Sequence, residues 1–251
     1  MAMLGNTMIS LPPLVDNADR TVEDVYKKII PQIEEARIAT GYFYLSGFDL
    51  YREDLEQLAD PEGLGHAPLR ILMGRQTNRS TADEIGEGQS LRDELKNEVE
   101  ENIEDLNNAQ LVRLDRLRDF IAEDKVSVRV RNPEHGYFHA KGASFRAPQE
   151  DDDWETDSDT DTRPCATVVG SSNFTASGHR NNIELNLTSQ DRTEAEAFEG
   201  WYDNQWANAE DFSEEIINVI ENSDKYQTWK DQQETDTETE DIPDGLGTYI
   251  E

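Results

Sequence analysis

Short apolar runs of strand type alternate along this chain with stretches whose apolar residues recur every three or four positions, and that alternation limits the folds open to it. Ile38-Ala-Thr-Gly-Tyr-Phe-Tyr-Leu-Ser46 reads as a buried strand ended by Gly47, and Leu69-Arg-Ile-Leu-Met73 as a second. Val126-Ser-Val-Arg-Val130 alternates as a half-buried strand does. Phe138–Phe145, Thr167–Val169 and Ile183–Leu187 read as three more. Between them, Val22, Val25, Ile29, Ile30 and Ile33 take helical spacing behind Thr21, a capping residue with acids Glu23 and Asp24 in the first turn. Leu91, Leu95, Val99, Ile103 and Leu106 form an acidic amphipathic stripe, continued by Leu111, Leu114, Leu117 and Ile121. Residues 194–220, with Phe198, Trp201, Trp206, Phe212, Ile216 and Ile220, read as helix packed on the sheet. The pattern predicts an α/β fold, a mixed β-sheet flanked by helices, with any site at the strand ends.

A chain of 251 residues suits one such domain, or one domain plus a tail. The domain is expected over residues 14–225, behind an irregular lead-in that contains Pro12-Pro13. Residues 226–251 are acidic and apolar-poor, and are expected to be a flexible tail. Residues 148–164 form an acidic insertion, read as an exposed hairpin loop; as a calcium loop it lacks the central Gly and terminal Glu of an EF-hand. The net charge is -32, with seven Lys against sixteen Arg. An acidic, Lys-poor surface keeps a protein hydrated in molar salt, so a halophilic, cytoplasmic setting is expected. At that salt the Debye length falls to roughly 3 Å, so the acidic field does not exclude a polyanionic partner. Cys165 is the single cysteine, which excludes an internal disulfide and a thiolate metal site. No apolar run approaches the roughly 20 residues of a membrane span, and Met1–Val15 has no signal-peptide pattern. A soluble intracellular protein with no membrane partner is expected.

The chemistry-bearing residues lie in two short stretches, His139-Ala-Lys141 and Gly170-Ser-Ser-Asn173, each at the end of a predicted strand. Residues two apart on a strand share a face, which pairs an imidazole with an ammonium. Imidazole serves as nucleophile or acid/base near neutral pH, and an ammonium beside it holds a phosphoryl oxygen. Gly170 permits close backbone approach, and Ser171 and Asn173 offer donors to the same oxygens. Glu184, eleven residues after Asn173, can hold one imidazole nitrogen. Arg75, Arg129, Arg131 and Arg180 are the cations expected to flank a cleft, and Tyr42, Tyr44, Tyr137 and Phe138 the rings able to stack on bases. His135 and His179 read as surface residues, with His179 near enough to the turn to touch a substrate.

His-x-Lys joined to Gly-Ser-x-Asn resembles the HKD motif of the phospholipase D superfamily. The wider text, with Ile38–Phe48, Ile71–Arg75, Val169–Gly178 and Asn182–Asn186, is similar to the phospholipase D-like domain at the N-terminus of some prokaryotic helicase-type proteins. The resemblance spans residues 14–222 and implies the phospholipase D-like sheet with helices on both faces. It makes His139 the nucleophile, Lys141, Gly170, Ser171 and Asn173 the phosphate-binding set, and Glu184 the support of the imidazole. It implies a phosphodiesterase that needs no metal or cofactor and acts on nucleic acid, with a helicase as partner. Its mechanism takes two histidines, one to attack phosphorus and one to protonate the leaving oxygen. With one motif copy here, the second His139 is expected from a homodimer. The family pattern has Asp five residues after the Lys, where this chain has Arg146. That departure keeps a second reading open, an interaction module that retained the fold and lost the activity; a phospholipid hydrolase is the third and least favoured.

Overall fold

A computed structural model of the chain describes residues 3–4, 7–8, 10–41, 45–58, 60–74, 99–100, 103–131, 138–148 and 162–240. Among these, eight strands form one mixed sheet: β1 (Leu14–Val15), β2 (Glu35–Thr40), β3 (Leu69–Met73), β4 (Val126–Arg131), β5 (Gly142–Pro148), β6 (Thr162–Gly170), β7 (Asn186–Ser189) and β8 (Ala209–Asp211). The spatial order is β8-β4-β3-β2-β5-β6-β7-β1. β2, β3 and β4 run parallel, and every other neighbouring pair is antiparallel. The carboxyl ends of the three parallel strands, the start of β5 and the end of β6 therefore lie along one edge of the sheet.

Helices cover both faces, as the alternation predicts. On one face lie α1 (Val22–Ile29), α2 (Leu45–Asp49), α3 (Asn108–Ala122), α4 (Ala176–Arg180), α6 (Ser213–Asn222) and α7 (Asp224–Glu240). Their apolar stripes meet Ile38, Ile71, Val128, Phe145 and Val168 in the main core. On the other face lies α5 (Arg192–Ala207), whose Tyr202 packs on Ala39, Leu72 and Phe138. Thr21 and Asp24 form a reciprocal capping box at α1, and Asn107 and Gln110 another at α3, each worth about 1 kcal/mol.

Several boundaries differ from the sequence reading. The strand expected over 38–46 spans Glu35–Thr40 instead, and a helix takes over at Leu45. On this helix Gly47 sits against Phe174: a Cβ on Gly47 would stand 2.2 Å from the Phe174 carbonyl oxygen. The strand expected over 138–145 begins at Gly142, which leaves His139 and Lys141 in the approach to β5 rather than on it. The strand expected over 183–187 is Asn186–Ser189. The single helical stretch 194–220 is two helices, divided by Ala209–Asp211, which adds to the sheet beside β4. The expected tail begins as helix: α7 buries Tyr226 and Trp229, and Lys230 Nζ stands 2.9 Å from Asp115 Oδ2. Of the acidic insertion, Thr162–Pro164 belong to β6 and Pro148 to β5, while 149–161 lie outside the described residues. The 91–98 part of the first acidic helical stripe also lies outside them; Ile103 joins the core.

Candidate active site

The two sequence-predicted stretches meet at Gly41, the first residue past β2. A Cβ on Gly41 would stand 3.0 Å from Lys141 Nζ, 3.2 Å from Asn173 Oδ1 and 3.5 Å from His139 Cδ2. Three chemically distinct groups thus converge over a residue with no side chain. Sheet topology produces this: Gly41 follows the end of β2, His139 and Lys141 precede the start of its antiparallel neighbour β5, and Asn173 follows the end of β6. Ligand sites lie outside strand ends in open α/β sheets for this reason.

Backbone and neighbouring side chains fix each group. Lys141 Nζ donates to His139 O at 3.1 Å, so the lysine holds the histidine's own backbone. Thr40 Oγ1 donates to Asn173 Oδ1 at 3.4 Å and accepts from Phe174 N at 3.0 Å, which locks the turn to β2. Buried Asn186 clamps the same turn: its Nδ2 donates to Ser172 Oγ at 2.9 Å and its Oδ1 accepts from Ser172 N at 3.3 Å. Gly170 admits this clamp, because a Cβ there would stand 2.3 Å from both Asn186 Oδ1 and Leu185 O. Gly41, Thr40 and Asn186 were not picked out by sequence reasoning. A lone Gly or Thr after an apolar run carries no signal of its own.

His139 is exposed while Lys141 is buried. Partial burial, with the Lys141 charge added, holds the His139 pKa below the ordinary histidine value, so its neutral, nucleophilic form persists to lower pH. Burial also lowers the Lys141 pKa, and the Glu184 carboxylate opposes that shift. Glu184 Oε2 accepts a short hydrogen bond from Ser171 Oγ, and its Oε1 accepts from Asn182 Nδ2 at 3.2 Å. Ser171 Oγ accepts from Leu185 N at 3.0 Å. Glu184 is thereby coupled to Ser171 and Lys141.

The other residues singled out in the sequence divide clearly. His179 is a core residue, not a surface one: its Nδ1 lies 2.6 Å from the Tyr51 hydroxyl, and burial pushes its pKa down to about 3. Arg180 pairs with Glu23 at 2.7 Å. Arg129 Nη1 donates to Trp206 O at 3.0 Å, and Arg131 Nη1 to Asn208 O at 2.8 Å, so both serve the β4–α5 packing. Phe138 stacks on Trp201 with centroids 6.1 Å apart. Tyr42, Tyr44, Arg75, His135 and Tyr137 lie outside the described residues. Among the described residues no second imidazole joins His139, since His66 Nε2 binds Glu35 at 2.8 Å on another part of the sheet.

Arg146 sits five residues beyond Lys141, about 16 Å along β5, opposite Glu35 in the register with β2. Its Nη1 lies 2.6 Å from Glu199 Oε2, its Nε 3.3 Å from Glu35 Oε1, and its Nη2 2.6 Å from Thr162 O. The departure from the family motif is thus the cation of a buried ion-pair network at the far end of the strand. No group of His, Cys, Asp and Glu among the described residues has the makings of a metal site.

The family described as "Cardiolipin synthase, PLD-like domain" matches residues 29–206, well over half of the chain. No curated protein matches it. Among solved structures it is similar to Nuc from Salmonella typhimurium, a phospholipase D family member, at 13% identity over 79% of this chain and 95% of that one, with a TM-score of 0.45. NucT from Helicobacter pylori is similar at 12% identity over 76% and 91% of the two chains, with a TM-score of 0.39. The phosphatidylserine synthase of Haemophilus influenzae is similar at 14% identity over 88% of this chain and 48% of that one, with a TM-score of 0.46. With residues 29–206 matched and an eight-stranded mixed sheet between two helical layers, the chain belongs to the phospholipase D-like family.

Proposed function

We propose that the protein is a phosphodiesterase acting on nucleic acid, with His139 as nucleophile and no metal in the chemistry. The observation that carries this reading is the convergence of Lys141 Nζ, Asn173 Oδ1 and His139 Cδ2 within 3.0–3.5 Å of one point over Gly41. A phosphodiester seated there would have non-bridging oxygens against the Lys141 ammonium and the Asn173 amide, with the Ser171 hydroxyl joining them once its proton turns from Glu184. These donors stabilise the charge that builds on the equatorial oxygens in the transition state. The neutral His139 ring forms a nitrogen–phosphorus bond as the phosphorus–oxygen bond to the leaving group breaks. A second imidazole gives that oxygen its proton. Water then attacks the phosphohistidine, loses its proton to the second imidazole, and returns His139 free.

The second imidazole is His139 of another copy in this reading. An exposed apolar surface beside the site supports it. Leu14, Leu187, Val169 and Gly142 share one register row across four strands, so their side chains face the same way. α5 covers only the Gly142 end, where a Cβ would stand 3.0 Å from Phe198 Cε2. Leu14, Val169 and Leu187 remain open, and Leu185 and the fully exposed Ile183 extend the patch toward Glu184. In this reading the exposed cluster is the surface that a second copy covers. The cytoplasmic, salt-adapted setting and a helicase partner belong to the same reading, and rest on composition and motif resemblance.

End-labelled single- and double-stranded DNA and RNA incubated in molar KCl with EDTA test the proposal. EDTA-resistant cleavage by the native chain, lost in His139→Ala, is expected. Leu187→Asp is expected to yield folded monomers by light scattering and to lose cleavage with them. No cleavage by a folded dimer would favour the interaction-module reading. Full activity in a monomer would remove the shared site.

A further inference from the structure

A second basic site lies away from the proposed active site, on the face that α5 covers. Arg70 on β3 and Ser127 on β4 are register partners, and Arg129 follows two residues on, so all three side chains leave the sheet on the same side. Both guanidinium carbons lie over the Trp206 ring, at 4.8 Å for Arg129 and 5.8 Å for Arg70. These four residues and His66 line a recess of about 440 Å³. Gly65 and His66 precede β3 and Asp124 precedes β4, so the recess opens at the amino ends of the parallel strands, opposite the edge that holds His139.

The charges there are poorly matched. Elsewhere among the described residues, Arg37, Arg113, Arg116, Arg146 and Arg192 each have a carboxylate oxygen within 3.1 Å. Arg129 forms no ion pair among the described residues; its Nη1 donates to Trp206 O, and its buried Nε has no hydrogen-bond partner. The buried Nη2 of Arg70 has no hydrogen-bond partner either: Glu35 Oε2 lies 3.9 Å from it, and Asp203 Oδ1 lies 3.8 Å from the other terminal nitrogen, Nη1. Burial and the neighbouring Arg37 charge lower the Arg70 pKa, the mark of a cation short of compensation. The two acids on the recess, Glu62 and Asp124, are exposed, whereas the arginines are half-buried. Unpaired buried N–H donors are costly, and paired guanidinium forks fit a tetrahedral oxyanion.

We infer that the recess between Arg70, Ser127, Arg129 and Trp206 is an oxyanion site that takes a phosphate group. Its oxygens would sit against the guanidinium groups of Arg70 and Arg129 that line the recess, with the Ser127 hydroxyl as a further donor. The phosphate can be that of a free small molecule or of a nucleic-acid backbone, and the inference does not rest on the activity proposed for His139.

Inorganic phosphate titrated into the full-length protein at constant high KCl, followed by ¹H–¹⁵N spectra, tests it. Saturable shifts of the Trp206 indole and of the Gly65–Ala67 and Ser127–Arg129 amides are expected. They should survive in Lys141→Gln, which weakens phosphate binding at the active site, and the apparent Kd should rise at least about tenfold in Arg129→Gln, a loss of roughly 1.4 kcal/mol. Arg129→Lys, which keeps the charge without the fork, should fall between. A short oligonucleotide shifting the same signals at lower concentration than phosphate would identify the backbone as the source; phosphate alone doing so would identify a small molecule. The site is refuted if the signals do not saturate, if Arg129→Gln with an otherwise native spectrum binds as well as the native chain, or if added KCl gives the same shifts as phosphate.

Discussion

One methyl group at Gly41 would press on Lys141, Asn173 and His139 together, at 3.0, 3.2 and 3.5 Å. Gly41→Ala is therefore expected to lower kcat about 10- to 100-fold while costing less than roughly 1 kcal/mol of stability, because small misplacement of reacting groups is expensive and the clash falls on side-chain ends. Cleavage kinetics and urea unfolding of the same sample check both halves. Arg146 offers the opposite case. Restoring the family's acid there, Arg146→Asp, leaves Glu35 and Glu199 facing a third carboxylate in place of their shared cation. A loss of about 3–5 kcal/mol is expected, with no gain in activity, since the position lies at the far end of β5 from the site. A stable, more active variant would show that the motif acid belongs to the chemistry. At this scale His139, Lys141 and Asn173 stood out in the sequence by type and spacing, and the structure brings these three together over Gly41. Gly41 and Asn186 were illegible, because their importance lies in what they stand next to.

Elements were legible where burial is one-sided and obscure where it is not. The alternation in β4 marked its strand, since only Val126, Val128 and Val130 turn to the core. The Ile38–Ser46 run misled because α2 is also buried, against the Asn173-Phe174 turn, and apolar composition does not distinguish a buried strand from a buried helix. α7 misled in the other direction. Its sequence is polar, with Tyr226 and Trp229 as isolated apolar residues, yet these two sit in the core against α3 and α6. Trp229→Ala is expected to cost about 3–5 kcal/mol by urea unfolding, where a flexible tail would give no change. The Lys230–Asp115 pair at 2.9 Å, on the same helix, is half-exposed and is expected to add little.

For the whole molecule, net charge and buried ionisable groups set the response to salt and acid. The formal charge of -32 opposes compaction, so Tm is expected to rise by several degrees between 0.1 and 2 M KCl, each about 1 kcal/mol of relieved repulsion giving roughly 2–4 °C at this size. His179 is held neutral with its pKa pushed down to about 3 by burial, so the unfolded chain binds the extra proton. Its stabilisation is complete above the ordinary histidine value and is lost as pH falls toward 3, about 3 kcal/mol between pH 7 and 4. Burial alone would raise the Glu35 pKa, but hydrogen bonds from His66 and Thr162 and the Arg146 charge hold it at about 2, so its contribution disappears only between pH 4.5 and 2. Urea unfolding across this range should show the loss between pH 6.5 and 4 flattened in His179→Leu, which starts less stable because the Tyr51 hydroxyl loses its partner. From sequence alone came the α/β class, the family motif and the acidic surface, all of which follow from residue type and local period. Only the tertiary structure decided that His139 and Lys141 stand before β5, that Arg146 serves a buried ion-pair network, that His179 is core, and that Gly41 makes room for the site. Those outcomes depend on which strand ends lie side by side, and contacts between residues a hundred positions apart leave no trace in local sequence.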